Sequence, residues 1–504
     1  MPQRLRRFPS LDTGETARHD ATVRGQDTRL AHRVSYGAGH ALISAKNMLF
    51  HFFFLFYFAQ VLGLPEWQVG LATLVAIVID AVTDPVMGQI SDNTRSRRWG
   101  RRHGWIVVST LPTAAALTLL FSPPAGMGEG ALFLWMAGFM IGTRVLITGY
   151  TVPYFALAAD MSGHYDERTS IVGMRTIFEN VFNLLVFVLA FTVFLPDREG
   201  LEDGMLFEPG YAPLALTLAG IGMIGALVMA LGTWSKVPAT QPRDWTAGAP
   251  WHAAFGQIAG TMRLREFRTL TAGFSLLVML YSAISQLSLF VGVYLWQFSQ
   301  GAKLVTSLVP IAVIIPAAVF AGWLSRRRDK RMAALWLTWL FGISFSVPFA
   351  LYLFGLTPPI GSAALLWLVS VASGFGYAGM VGALILSYSM MADVSDMVTL
   401  ETGRKREGLL FAAFTFANKL AFAGGLVIAT LGLALIDLPE GALPSEVGSD
   451  VVIKLSVYSI AVNLLLALGA WLAYRGYRMT RERHAALQQQ LREARAVVGG
   501  VPEL

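Results

Sequence analysis

Twelve runs of about 20 or more mostly apolar residues divide this chain, and nothing else in the sequence limits its fold so strongly. They lie near 37–63, 67–91, 104–122, 131–160, 169–195, 211–234, 269–299, 303–324, 332–354, 362–391, 406–436 and 451–475. A backbone inside a bilayer must satisfy its own polar groups, so runs of this length fold as helices. The expectation is an all-α membrane protein with 12 transmembrane helices. A mean hydropathy of +0.55 and an aliphatic and aromatic share of 55% agree with it. The basic residues then orient the spans, because Lys and Arg collect on the cytoplasmic side. With both termini inside, the great majority of the 39 Lys and Arg fall in the tails and inner loops, and the outer loops keep only Arg198 and Lys303. The net charge of +7 thus reports topology, and no nucleic-acid partner is implied. The partners expected are the lipid bilayer and a solute; no oligomer is required. Residues 1–34 hold no apolar core segment, so no cleaved signal is expected there and the stretch reads as a disordered cytoplasmic tail. The absence of cysteine excludes disulfides, thiolate metal sites and thiol catalysis.

The spans repeat. The second ends Gly88-Gln-Ile-Ser91 before a basic loop and the eighth ends Gly322-Trp-Leu-Ser325 before another, 234 residues on. The fourth ends at Tyr154 and Ala159-Asp160-Met-Ser162, the tenth at Tyr388 and Ala392-Asp393-Val-Ser395, again 234 and 233 residues apart. Two independent matches at one offset indicate duplicated six-helix halves, 35–234 and 269–475, joined by a cytoplasmic linker 235–268 and followed by a tail 476–504. Parallel repeats of six spans are the pattern of the major facilitator fold, whose halves rock around a site at the bilayer midplane.

Ionisable residues inside spans are costly, at roughly 2.5–3.5 kcal/mol each near a helix centre on insertion scales, and mark functional sites. Asp80 and Asp84 sit one turn apart in the second span, so both carboxylates share a helix face and aim at one small object, a cation or a proton. The plainer reading is a kink shaped by Asp84-Pro85, which does not need a second acid. Arg175 and Glu179, also i and i+4, suggest an intrahelical pair on the fifth span or a role in substrate binding. Arg144 is placed to neutralise Glu179 or the acid pair, or to hold an anionic substrate group through its planar fork. Lys419 has no acid on its own helix, so its partner comes from another helix or from the substrate. Lys46 is expected to snorkel towards the inner interface. Ser44, Thr148, Thr151 and Gln286 mark the polar faces of their spans, where interhelical hydrogen bonding is the alternative. The basic segment from Arg95 through Arg101 and Arg102, following Asp92, is expected to pair with inner-loop acids such as Asp160 or Asp166 when the inner gate is shut. The eight histidines show no metal-ligand spacing and no glycine-rich phosphate loop precedes a lysine, so an enzyme is not expected and no cofactor is implied.

The run Asp80-x-x-x-Asp84-Pro, then Gly88, then Thr94-Arg-Ser-Arg and Trp99-Gly-Arg, resembles the glycoside-pentoside-hexuronide:cation symporters, the melibiose-permease-like branch of the major facilitators. The sodium-dependent lysophospholipid symporters belong to the same branch. The likeness extends through Val152-Pro-Tyr154, Arg175, Ala392-Asp-Val-Ser-Asp396 and Asn418-Lys419. It implies a cation-coupled symporter in the plasma membrane, a bacterial inner membrane by this likeness, with Na⁺ or H⁺ as coupling ion. It implies a cation site of Asp80, Thr83, Asp84 and Thr148. The positions that grip sugar hydroxyls in the family are here Ser44 and Thr151, with Phe155 one turn on, so both sugar-binding acids are replaced. An anionic amphiphile is the alternative substrate, with Arg144 and the Arg175-x-x-x-Glu179 pair as its candidate ligands.

Overall fold

A computed structural model describes residues 29–94, 96, 98–162, 165–236, 264–402, 407–439, 441–483, 486–487 and 489–490. Most of both expected tails and of the linker lie outside the described residues. Within them the chain is helical, with no strand, and twelve helices are long and apolar enough to cross a membrane. We number them α1 Leu30–Val61, α2 Glu66–Asn93, α3 His103–Leu120, α4 Glu129–Met161, α5 Tyr165–Leu189 with a π-helical end Ala190–Phe194, and α6 Tyr211–Gly232. The second six are α7 Arg265–Phe290 with a π-helical end Val291–Leu295, α8 Gln300–Arg327, α9 Lys330–Leu353, α10 Ala363–Thr402, α11 Glu407–Ile436 and α12 Ser449–Arg475. Some helices outrun the apolar stretches that announce them. At 40 residues, α10 is about 60 Å long, twice the hydrocarbon thickness, and α1 begins at Leu30, where Arg33 bonds Ser170 Oγ at 2.9 Å.

The packing repeats as the sequence does. In the first half α1 packs on α5 and α6, α4 on α2 and α3, and α3 on α6. In the second, α7 packs on α11 and α12, α10 on α8 and α9, and α9 on α12. The halves meet through α1 with α7, α2 with α11, and the equivalent pair α8 with α5. Helices approach closely where the side chain is missing: a Cβ on Gly225 of α6 would run into the Ala38 carbonyl of α1.

The π-helical turns Tyr57–Val61 and Val291–Leu295 are themselves 234 residues apart, and the Tyr294 hydroxyl donates to Gln60 Oε1 at 2.9 Å. Residues at equivalent positions of two halves meet only at the axis that relates them, so this bond marks the pseudo-two-fold. It lies at the far end, opposite the end that carries both termini. There the connection after α5, built on two 3₁₀ turns, crosses to the second half. Asp203 is buried against the ammonium of Lys303, Gln300 Nε2 donates to it at 2.6 Å, and the Gln300 amide donates to Asp197 at 3.1 Å. The Ser445 amide adds a bond to Glu202 at 2.8 Å. Contacts between halves thus concentrate at the far end and at mid-depth.

Candidate functional site

Asp80, Arg144, Lys46 and Lys419 each stand near the midpoint of a helix, on α2, α4, α1 and α11. Periodicity puts Asp80 and Asp84 on one face of α2, and Pro85 gives no N–H to the preceding turn, so the backbone beside Asp84 carries one hydrogen bond fewer. Facing them, Thr148 Oγ1 lies 3.0 Å from Asp80 Oδ1 and 3.1 Å from Asp84 Oδ1, and 3.0 Å from the Arg144 carbonyl. A hydroxyl has one proton for these three acceptors, so its lone pairs can turn to a cation when that proton goes to the carbonyl. Thr83 donates instead to the Asp80 carbonyl at 3.2 Å.

Two cations complete the cluster. The Lys419 ammonium contacts Asp84 and lies 3.1 Å from Asp80 Oδ2, and Arg144 Nη1 lies 3.6 Å from the same oxygen. Asp84 and Lys419 have side chains 30% and 32% exposed, against 12% for Asp80 and Arg144. The open edge of the site is therefore the Asp84–Lys419 edge. Clustered hard oxygens suit Na⁺ or a proton, and Lys419 holds them in the arrangement seen.

Of the other sequence candidates, Arg175, Glu179 and Phe155 stand nearer the end that carries the termini, while Gln286 and Lys46 lie at mid-depth by Phe50. Arg175 does not pair with Glu179. Its guanidinium lies 5.0 Å from the centre of the Phe155 ring, and Glu179 Oε2 lies 3.7 Å from His40 Nε2. In place of the intrahelical pair, the two side chains meet Phe155 of α4 and His40 of α1, whose rings lie 6.3 Å apart. Thr151 bonds back to the Ile147 carbonyl at 2.5 Å, Ser44 is buried with its hydroxyl unpaired, and Gln286 Nε2 reaches the Phe50 carbonyl at 3.3 Å. Lys46 does not snorkel. Its ammonium lies 5.9 Å from the centre of the Phe50 ring, one turn further into the membrane, and Arg144 lies 5.4 Å from the same ring. The i, i+4 spacing of Lys46 and Phe50 carried this signal. His40, 3% exposed, was hidden by its lack of any metal-ligand spacing.

The basic segment meets the inner acid expected for it, Asp160, and does so within one half. Arg101 pairs with Asp160 at 2.6 Å, and Arg102 with Asp160 at 3.1 Å, Asp92 at 2.5 Å and Ser91 at 2.8 Å. All of these belong to the first half, so they brace the α2–α3 connection against the end of α4. Lys330 does the same in the second half, bonding Asp393 of α10 at 2.7 Å. Arg95 and the side chain of Asp166 lie outside the described residues.

Comparison with known proteins agrees with the fold. Residues 35–481 match the family described as MFS/sugar transport protein. The chain is 25% identical to an uncharacterized symporter of Synechocystis, over 91% of this chain and 96% of that one. It is 26% identical to the sphingosine-1-phosphate transporter MFSD2B of Xenopus tropicalis, over 93% and 91%, and 24% identical to the sodium-dependent lysophosphatidylcholine symporter 1 of Gallus gallus, over 92% and 89%. Among solved structures, a bacterial homologue of the human lysosomal transporter Spinster superposes with a TM-score of 0.60 at 14% identity, covering 90% of this chain and 98% of that one. The chain belongs to the MFS/sugar transport protein family: it is a multi-pass membrane symporter of major facilitator type, and not an enzyme.

Proposed function

We propose that the protein uses a Na⁺ or H⁺ gradient to import an organic solute, with Asp80, Asp84 and Thr148 as the cation site. The observation that carries this reading is the placement of one hydroxyl within 3.1 Å of both carboxylates, with the Lys419 ammonium on their open edge. The coupling ion competes with Lys419 for the same oxygens. When it wins, Lys419 is released into the space between the halves, and binding at one site is felt across the interface. Moving one charge through the membrane is worth about 2.3 kcal/mol per 100 mV, enough for roughly a fortyfold gradient of a neutral solute.

With the end that carries the termini in the cytoplasm, the far-end contacts close the outside and the structure corresponds to an inward-facing state. The solute lies between α1, α4, α5, α7, α10 and α11, within reach of Arg175, Phe155 and Gln286. A sugar or glycoside is the substrate class that the family suggests. An amphiphile such as a lysophospholipid is the second reading, favoured by the loss of both sugar-binding acids at Ser44 and Thr151.

The test is uptake into proteoliposomes of labelled glycosides, sugar acids and lysophospholipids under an imposed Na⁺ or pH gradient. Accumulation should follow one of the two gradients, and Asp84→Asn should abolish the stimulation. Stimulation unchanged in that variant would remove the cation site from Asp84.

A further inference from the structure

Three basic side chains surround the two acids at mid-depth. Lys419 and Arg144 pair with Asp80 and Asp84, which already balances the carboxylates. Lys46 is the third. It lies within electrostatic reach of Arg144, Asp80, Lys419 and Asp84, but among the described residues no carboxylate stands at ion-pair distance from it. Charges inside a membrane protein are paired or face a water-filled path, because an isolated ammonium loses its hydration without return. Lys46 points instead along α1 towards Phe50, whose ring it shares with Arg144. An aromatic face attracts each cation weakly and cancels neither charge.

We infer that the solute carries an anionic group and that Lys46 and Arg144 receive it beside Phe50. The inference rests on the symport reading for one step only. When a coupling cation occupies Asp80 and Asp84, it cancels one of their two negative charges, and Lys46, Arg144 and Lys419 are left with a single compensating charge among three. A carboxylate or a phosphate monoester entering between the halves offsets that charge. Loading of the cation therefore raises affinity for the anion, and by linkage the anion raises affinity for the cation by the same factor. A neutral solute offsets none of that charge.

The test uses the full chain in lipid nanodiscs, with thermal unfolding followed as each of two matched probe pairs is titrated. One pair is 4-nitrophenyl β-glucuronide with 4-nitrophenyl β-glucoside, and the other is lysophosphatidic acid with the corresponding monoacylglycerol. At least one anionic probe should stabilise the protein at a concentration tenfold or more below its neutral counterpart, and the pair that responds tells carboxylate from phosphate. Lys46→Gln should weaken that probe at least tenfold, and Lys46→Arg should restore it, which separates charge from folding. Equal binding of neutral and anionic probes, binding of neither anion, or indifference to Lys46→Gln would overturn the inference. A Na⁺- or proton-dependent shift without probe, lost in Asp84→Asn, reports on the cation site alone. The symport reading can thus fail while the anion site stands, and the reverse.

Discussion

At Lys419 the two halves share a charge. The ammonium comes from α11, its carboxylates come from α2, and a third partner, Arg144, comes from α4. Removing one member of a buried ion pair leaves the other uncompensated and typically costs about 3–5 kcal/mol. Lys419 is about a third exposed, so solvent screening reduces the cost here. Lys419→Met should therefore lower the unfolding temperature in cation-free buffer and be rescued by Na⁺, with a larger Na⁺-dependent shift than the parent protein shows. A shift no larger than the parent's would mean that the lysine and the ion do not compete. The acid pair was legible in the sequence because charge inside an apolar run is conspicuous and i, i+4 spacing fixes a common face. The partner of Lys419 was not, since it lies more than 300 residues away and leaves no local pattern. Lys46 was misjudged for a related reason: a lysine in the inner part of a span ordinarily reaches the interface, and only the packing of α1 against α4 and α7 turns it inward.

Among elements, the connection between α5 and α6 does more than span a gap. A connection this rich in acids would ordinarily lie exposed to water. Instead Asp203 caps a 3₁₀ turn, accepting from the Met205 amide at 2.9 Å, and is buried against Lys303 at the start of α8. A loop's composition predicts its exposure only when no other element supplies a partner, and the partner here lies 100 residues on. This pair joins the halves at the far end, so weakening it should favour opening there. The chain has no native cysteine, and a single Gln60→Cys probe can report the change. Asp203→Asn is expected to raise the labelling rate of that cysteine by a membrane-impermeant maleimide several-fold. The double variant Asp203→Asn with Lys303→Met should recover stability without slowing the labelling. An unchanged rate in both variants would show that the pair does not hold the far end shut.

For the whole molecule, the duplication was visible in two short matches at one offset, and the structure carries it further. The same offset relates the π-helical turns of α1 and α7, and the duplication extends to the helix contacts of each half and to the braces on Asp160 and Asp393. Helix ends were less legible, because α10 continues to Thr402, past the apolar stretch where hydropathy stops reporting it. The braces lie within single halves. Asp160→Asn and Asp393→Asn are accordingly expected to lower thermal stability while leaving the relative response to Na⁺ and H⁺ unchanged, measured as the ratio of uptake under the two gradients. A changed ratio would place the braces in the coupling step. One feature stands outside the symmetry. The positions equivalent to Asp80, Asp84 and Arg144 in the second half are Ile314, Ala318 and Ala378. In the proposed reading the ion seat is single-copy, its acids confined to the first half, so the second half meets it through Lys419. On that reading, lineages built on this plan can alter ion preference by replacing the amine at 419 in one half, without redesigning the frame or the acid pair in the other.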